Sequence, residues 1–163
     1  MPEPGSDGRS TTSRSYHGQC TYVVDSARRL MIPKDWRPED RRTEFVALLW
    51  PILPANPDDV HLVMLPPAQG QAVLDKMSGT DHLTDDESAQ MQRSLAARSA
   101  RLCLDKAWRF CLPAALADGA GIGKEALFVG RLHLFEIWSP ERYRPEMQEN
   151  QGVAARKAIQ LRL

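Results

Sequence analysis

Residues 22–33 read YVVDSARRLMIP, and residues 102–113 read LCLDKAWRFCLP. Superposed without a gap, Asp25 falls on Asp105, Arg29 on Arg109 and Pro33 on Pro113, each pair 80 positions apart. Leu30 and Ile32 fall on Phe110 and Leu112, so the apolar pattern repeats together with the charged one. In each copy an apolar run leads into a short polar crest, D-x-x-x-R, and a second apolar run follows. In the first copy these runs are Tyr22 to Val24 and Leu30 to Ile32. Apolar, partly β-branched runs on either side of a polar turn predict a β-hairpin. The proline closing each unit ends the second strand or opens a helix, because it lacks a ladder donor yet suits the first helical position. Pro113 to Ala117 reads as a short helix, stopped by Gly119 and Gly121.

Working outward, HLVMLP at 61–66 pairs with HLFEIW at 133–138, now 72 positions apart. Each is preceded by another apolar strand, Phe45 to Leu49 and Ala126 to Val129. The first half therefore carries about eight extra residues, placed in the proline-rich stretch PILPANPDD, which reads as an extended connection. Between the halves the spacing predicts a helix over 67–77 and a second over 85–98. Thr84 with Glu87 three residues later is a capping box, and Ala89, Met91, Leu95 and Ala96 are its expected inward face. Ser139-Pro140-Glu141 opens a third helix. The chain divides into a Ser/Thr/Gly/Pro-rich, mobile N-terminal tail (1–15), a first repeat (16–78), a linker helix (79–98), a second repeat (99–145) and a C-terminal tail (146–163).

Composition narrows the function. Lys plus Arg and Asp plus Glu each number 21, for a formal net charge of +0, which excludes a uniformly basic coat for nucleic acid and leaves room for a local patch. The basic stretch Arg28, Lys34, Arg37, Arg41 and Arg42 is interleaved with Asp35, Glu39, Asp40 and Glu44, and reads as a solvated face in preference to a phosphate track. Cys20, Cys103 and Cys111 form no C-x-x-C pair, and the four histidines have no ligand spacing, so no metal or cofactor is expected. GAGIGKE at 119–125 misses the Walker A pattern at Asp118 and Glu125, and the Rossmann pattern at Lys124. No constellation of an enzyme family is present. Residues 1–15 hold no apolar signal segment, and runs such as Phe45 to Trp50 fall far short of the ~20 residues of a membrane span, so a cytoplasmic protein is expected.

LDKAWRFCLPAALADGAGIGKEALFVGRLHLFEIWSPERY (104–143), with Tyr16-x-Gly18 and VVDSARRLMIP (23–33) upstream, resembles the MraZ family over roughly residues 16–145. The resemblance implies an α+β fold in which two pseudo-symmetric AbrB-like hairpin/helix repeats form a swapped-hairpin, double-ψ type barrel with flanking helices. It implies a sequence-specific, nucleoid-associated DNA-binding regulator of the division and cell-wall gene cluster, acting as ring-shaped homo-oligomers on promoter direct repeats. Arg29 and Arg109 would then offer a planar fork to guanine or phosphate, with Asp25 and Asp105 orienting them. Arg28 and Lys106 would add phosphate contacts. The family pattern is D-x-x-G-R, and Arg28 and Trp108 stand here in place of both glycines. That departure, with the neutral charge, motivates the alternative of a ring-forming scaffold that has lost sequence-specific DNA binding.

Overall fold

The computed structural model describes residues 14–52, 54–78 and 83–143. The expected C-terminal tail, and residues 1–13 of the expected N-terminal tail, lie outside the described residues. The strands are β1 (Gln19–Val23), β2 (Arg29–Met31), β3 (Glu44–Trp50), β4 (His61–Leu65), β5 (Ser99–Cys103), β6 (Arg109–Cys111), β7 (Glu125–Gly130) and β8 (Phe135–Trp138). Among the described residues the α-helices α1 (Pro67–Ser78), α2 (Asp85–Ala97) and α3 (Ala114–Gly119) accompany them. The fold is α+β, with antiparallel pairing throughout. Six strands form one sheet in the order β1-β7-β8-β4-β3-β5, and β2 and β6 form a separate ribbon.

The pairing departs from a simple hairpin. Each D-x-x-x-R turn is closed locally, Arg28 N donating to Asp25 O and Trp108 N to Asp105 O, both at 3.0 Å. The strands on either side of it then part. β1 pairs with β7 of the second repeat, β5 pairs with β3 of the first, and β2 pairs with β6. Burial accounts for this: Leu30, Ile32, Phe110 and Leu112 are each 0% exposed, an environment that a two-residue-wide local hairpin cannot supply. The ribbon register centres on Leu30 opposite Phe110, and Ile32 N donates to Trp108 O as Leu112 N does to Arg28 O, both 2.9 Å. In the large sheet, Val63 faces Glu136 and Met64 faces Phe135. These mirrored registers express the 80- and 72-residue sequence offsets as a pseudo-two-fold. The sheet is open, ending at β1 and β5. The expected closed barrel is therefore not formed, because the short second strand of each unit joins the ribbon and leaves the sheet edges apart.

One core serves both repeats. Phe45, Leu62, Met64, Phe128, Phe135 and Ile137 of the sheet join Leu30, Phe110 and Leu112 of the ribbon in a single buried cluster. Phe135 is its hub, its ring lying 5.0–6.4 Å from those of Tyr16, Trp36, Phe45, Phe110 and Phe128. β4 is buried along its whole length because α1 covers its other face.

The helix signals mark the ends well and one face poorly. The capping box is present, Glu87 N donating to Thr84 Oγ1 (3.3 Å) and Thr84 N to Glu87 Oε2 (2.9 Å). No residue of α2 is buried, however, and Met91 and Ala96 are exposed while Ala89 and Leu95 are half-buried. The expected inward face fails because α2 lies outside the sheet, packed chiefly on α1 and β5 among the described elements. GAGIGKE begins as a helix stop: Ile122 N donates to Ala117 O and Gly121 N to Asp118 O, with Gly121 at φ 64°. This is a Schellman arrangement, in which a left-handed glycine satisfies the last helical carbonyls. The proline-rich connection is not simply extended, since Pro57–Asp59 form a 3₁₀ turn capped by Asn56. Residues 140–143 are helical, as the Ser-Pro-Glu start predicts. No described helix is long and apolar enough to cross a membrane.

Candidate functional site

Each D-x-x-x-R crest is built by its aspartate. Asp25 Oδ1 accepts from the backbone N–H groups of Ala27 and Arg29, both at 2.9 Å, while Oδ2 accepts from Arg29 Nε at 2.7 Å. Asp105 repeats the pattern with Ala107 N (2.8 Å), Arg109 N (3.0 Å) and Arg109 Nε (2.9 Å). The four-residue spacing is what lets one carboxylate close the turn and hold the arginine at its end. Nε is one of five guanidinium donors, so the bond orients the side chain without exhausting it. The backbone N–H of Arg29, with its guanidinium and the Ala27 N–H, holds the Asp25 carboxyl below the usual carboxylate range. At Asp105 partial burial pulls upward but is outweighed by the Arg109 and Ala107 N–H groups and the Arg109 guanidinium, so this carboxyl also stays low.

The ribbon brings the two crests side by side. Arg29 lies opposite Cys111 and Met31 opposite Arg109, and Arg109 Nη1 stands 3.9 Å from Asp25 Oδ2. Asp25, Arg29, Asp105 and Arg109 thus form one surface although 80 positions separate the motifs in sequence. Arg28 and Trp108 adopt φ of 56° and 60°, the left-handed conformation that glycine takes freely and other residues take at a cost of ~1–2 kcal/mol. The turn is therefore of the glycine type without the glycine. Arg28 is steadied by a bond from its Nε to Leu112 O (3.1 Å) and so reaches back over the ribbon. Lys106 is exposed at the second crest.

Two further cations converge there that the sequence does not single out. Arg37 and Arg41 place their guanidinium carbons 5.6 Å and 5.7 Å from the centre of the Trp108 ring. Arg41 Nη1 also donates to Lys106 O at 3.1 Å. The interleaved acidic residues hide this in the sequence, where the stretch reads as an ordinary charged face.

A second polar cluster lies on the central strands. Glu136, 8% exposed, accepts from Arg131 Nη1 and from Trp138 Nε1, both at 2.8 Å, while the His61 ring stacks on Trp138 at 3.8 Å. Burial raises the Glu136 carboxyl, but the His61 ring beside it (Nε2 3.4 Å from Oε1), the hydrogen bond from Trp138 and the charge of Arg131 carry it below the usual range. The FEIW segment is thus Phe135 and Ile137 in the core with Glu136 and Trp138 in this network. Among the described residues no group of His, Cys, Asp and Glu is arranged to hold a metal ion.

Known proteins are similar to this chain along most of its length. The family model "MraZ protein, putative antitoxin-like" matches residues 95–160. A protein of Treponema pallidum called "Transcriptional regulator MraZ" is 28% identical over 144 residues, covering 85% of this chain and 88% of its own length. Proteins of the same name from Roseiflexus castenholzii (28% identical, 89% and 97% covered) and Tolumonas auensis (29%, 82% and 85%) align over similar spans. With residues 95–160 matched by the family model and most of the chain aligned to these relatives at 28–29% identity, the chain is similar to MraZ proteins along most of its length.

Proposed function

We propose that this chain is a sequence-specific, DNA-binding transcriptional regulator that reads promoter direct repeats of a division and cell-wall gene cluster through its paired crests. The observation that carries the reading is the juxtaposition of two aspartate-held arginines on one ribbon, Arg109 Nη1 lying 3.9 Å from Asp25 Oδ2. Arg29 and Arg109 each retain donors for the O6 and N7 edge of guanine, and Asp25 and Asp105 set their direction. Arg28 and Lys106 contribute to phosphate contact. A bidentate pair is worth ~1–3 kcal/mol of base discrimination, so one subunit binds weakly. Assembly of several chains into a ring, each completing a swapped-hairpin unit, multiplies the contact through effective concentration. The protein then works in the cytoplasm at the nucleoid.

Fluorescence anisotropy on the promoter of its own gene cluster tests this, comparing the native chain with Arg29→Ala/Arg109→Ala. Loss of discrimination between that promoter and a scrambled duplex supports the assignment, and undiminished discrimination refutes it. The ion pairs of Arg29 and Arg109 with their own aspartates are the observation favouring a scaffold instead. A salt titration separates the two readings, because a DNA binder loses affinity steeply with salt and a scaffold shows no salt-sensitive binding to promoter DNA.

A further inference from the structure

We propose that the two crests are unequal, and that Arg37, Arg41, Trp108 and Lys106 form a clamp for a DNA phosphodiester on the second crest alone. The proposal rests on the DNA-binding reading above and says which part of the surface holds the backbone.

Two guanidinium groups gather on one indole, at 5.6 Å and 5.7 Å, and among the described residues neither forms an ion pair. Neighbouring cations behave differently. Arg42 is held by Asp40 (3.3 Å), and Arg101 by Glu44 (3.2 Å). Asp40 and Glu44 are therefore taken by other partners, and Asp35 and Glu39 form no ion pair with Arg37 or Arg41 among the described residues. Arg37 Nε is moreover buried with no hydrogen-bond partner. Like charges drawn together repel, and the negative face of an indole offsets only part of that repulsion. An anion with several acceptor oxygens completes such a set, and the planar arginine fork suits phosphate.

Arg41 is already braced, its Nη1 on Lys106 O, and Arg41, Arg42, Asp105 and Lys106 border a depression of about 360 Å³ beside the crest. Asp105 is the acidic group in that border, and it is engaged by Arg109 and the turn amides. The arrangement has no counterpart at the first crest. Residues 34–41 read KDWRPEDR, whereas their repeat equivalents at 114–121 read AALADGAG, with no cation. The indole is likewise replaced by Arg28, whose Nε is committed to Leu112 O. Loss of the family glycine at Trp108 thereby supplies the platform on which the first repeat's arginines serve the second repeat's crest.

The test is the salt dependence of binding to two fluorescein-labelled duplexes of equal length, the upstream region of its own gene cluster and a scrambled version. Arg37→Ala/Arg41→Ala is expected to lower the slope of log affinity against log salt by about 1.8, two phosphates at ~0.9 each. Between 50 and 200 mM salt the loss of affinity then shrinks by about 12-fold, equally on both duplexes. Arg41→Gln, at an exposed position, guards against a folding defect and is expected to lower the slope by about 0.9. Arg29→Ala/Arg109→Ala should instead erase the preference between duplexes. If the native chain binds with a steep slope and both clamp variants keep it, the clamp is wrong and the regulator reading stands. If the native chain shows no salt-sensitive binding to either duplex, both fall.

Discussion

Replacing Arg28 and Trp108, each in turn, by glycine and by alanine isolates the energetics of the left-handed crests. At φ of 56° and 60° an alanine retains the Cβ clash that costs ~1–2 kcal/mol, and a glycine does not. Against this, glycine carries the extra unfolded-state entropy that makes it ~0.5–1 kcal/mol worse than alanine in regular structure. The difference leaves glycine ahead of alanine by about 0.7 kcal/mol at both positions. With a urea m-value of about 2 kcal/mol/M, that is a midpoint shift of about 0.4 M at unchanged slope. The absolute levels differ between crests. Arg28→Gly exchanges strain for the Nε bond to Leu112 O, worth ~0.5–1.5 kcal/mol, and should lie near the native chain. Trp108 is half-buried, so both substitutions also lose roughly 100 Å² of contact, about 2.5 kcal/mol. Gln92, exposed on α2, is the control, where alanine should exceed glycine by ~1 kcal/mol. Alanine equal to or better than glycine at both crests, with the control behaving normally, would refute the left-handed turn.

Other substitutions probe the scaffold and its pH response. A Cβ at Gly130 would lie 2.4 Å from Tyr16 O and 2.8 Å from His17 N, backbone that cannot give way, so Gly130→Ala should cost more than ~3 kcal/mol in chemical unfolding. Phe135→Ala removes the aromatic hub at 0% exposure and should lower stability by ~3–5 kcal/mol; a loss below 1 kcal/mol would mean that the cluster is not continuous. Asp25 and Asp105 have folded-state acidities lowered below the ordinary value, so their contribution is present above the unfolded pKa of ~3.9 and vanishes as pH falls through the lower folded values. Thermal melts of Asp25→Asn/Asp105→Asn should therefore trail the native chain at pH 7 and converge with it as pH falls below the unfolded value and through the lowered folded ones, and a gap that widens on acidification contradicts the crest geometry.

What the residues disclose, and what they conceal, follows from range. The 80-residue offset locates both crests, and the capping box at Thr84 and Glu87 places the start of α2, because turns and caps are made by neighbours in sequence. Which strand pairs with which is different. Tyr22 to Val24 and Leu30 to Ile32 look the same whether they pair with each other or with β7 and β6, since alternation specifies a buried face and not a partner. The same limit explains Met91 and Ala96, which lie on a side of α2 that none of the described elements buries. Within the site, Asp25 and Arg29 were readable from a four-residue spacing. Arg41 meets Lys106 and Trp108 across more than sixty residues, and nothing in the local charge pattern marks it apart from Arg42.

A formal net charge of +0 constrains how such a surface can work. At physiological ionic strength charges interact over a Debye length of ~8 Å, so an approaching duplex senses the local set and little of the molecular sum. Arg29 and Arg109 are oriented by Asp25 and Asp105, and Arg42, Arg101 and Arg131 are taken up by Asp40, Glu44 and Glu136. At the second crest, Arg37 and Arg41 over the Trp108 indole and the neighbouring Lys106 form no ion pair among the described residues. On the proposed reading a single chain then has only a few phosphate contacts, so its non-specific affinity is low. Non-specific binding scales with phosphates neutralised, whereas discrimination scales with base-reading arginines presented in register. Pairing the crest arginines with their own aspartates and repeating two crests by assembly raises the second quantity faster than the first. Neutrality of the whole chain is in that case a condition for selectivity, and adding exposed lysines far from the ribbon should tighten binding to scrambled DNA more than to the operator.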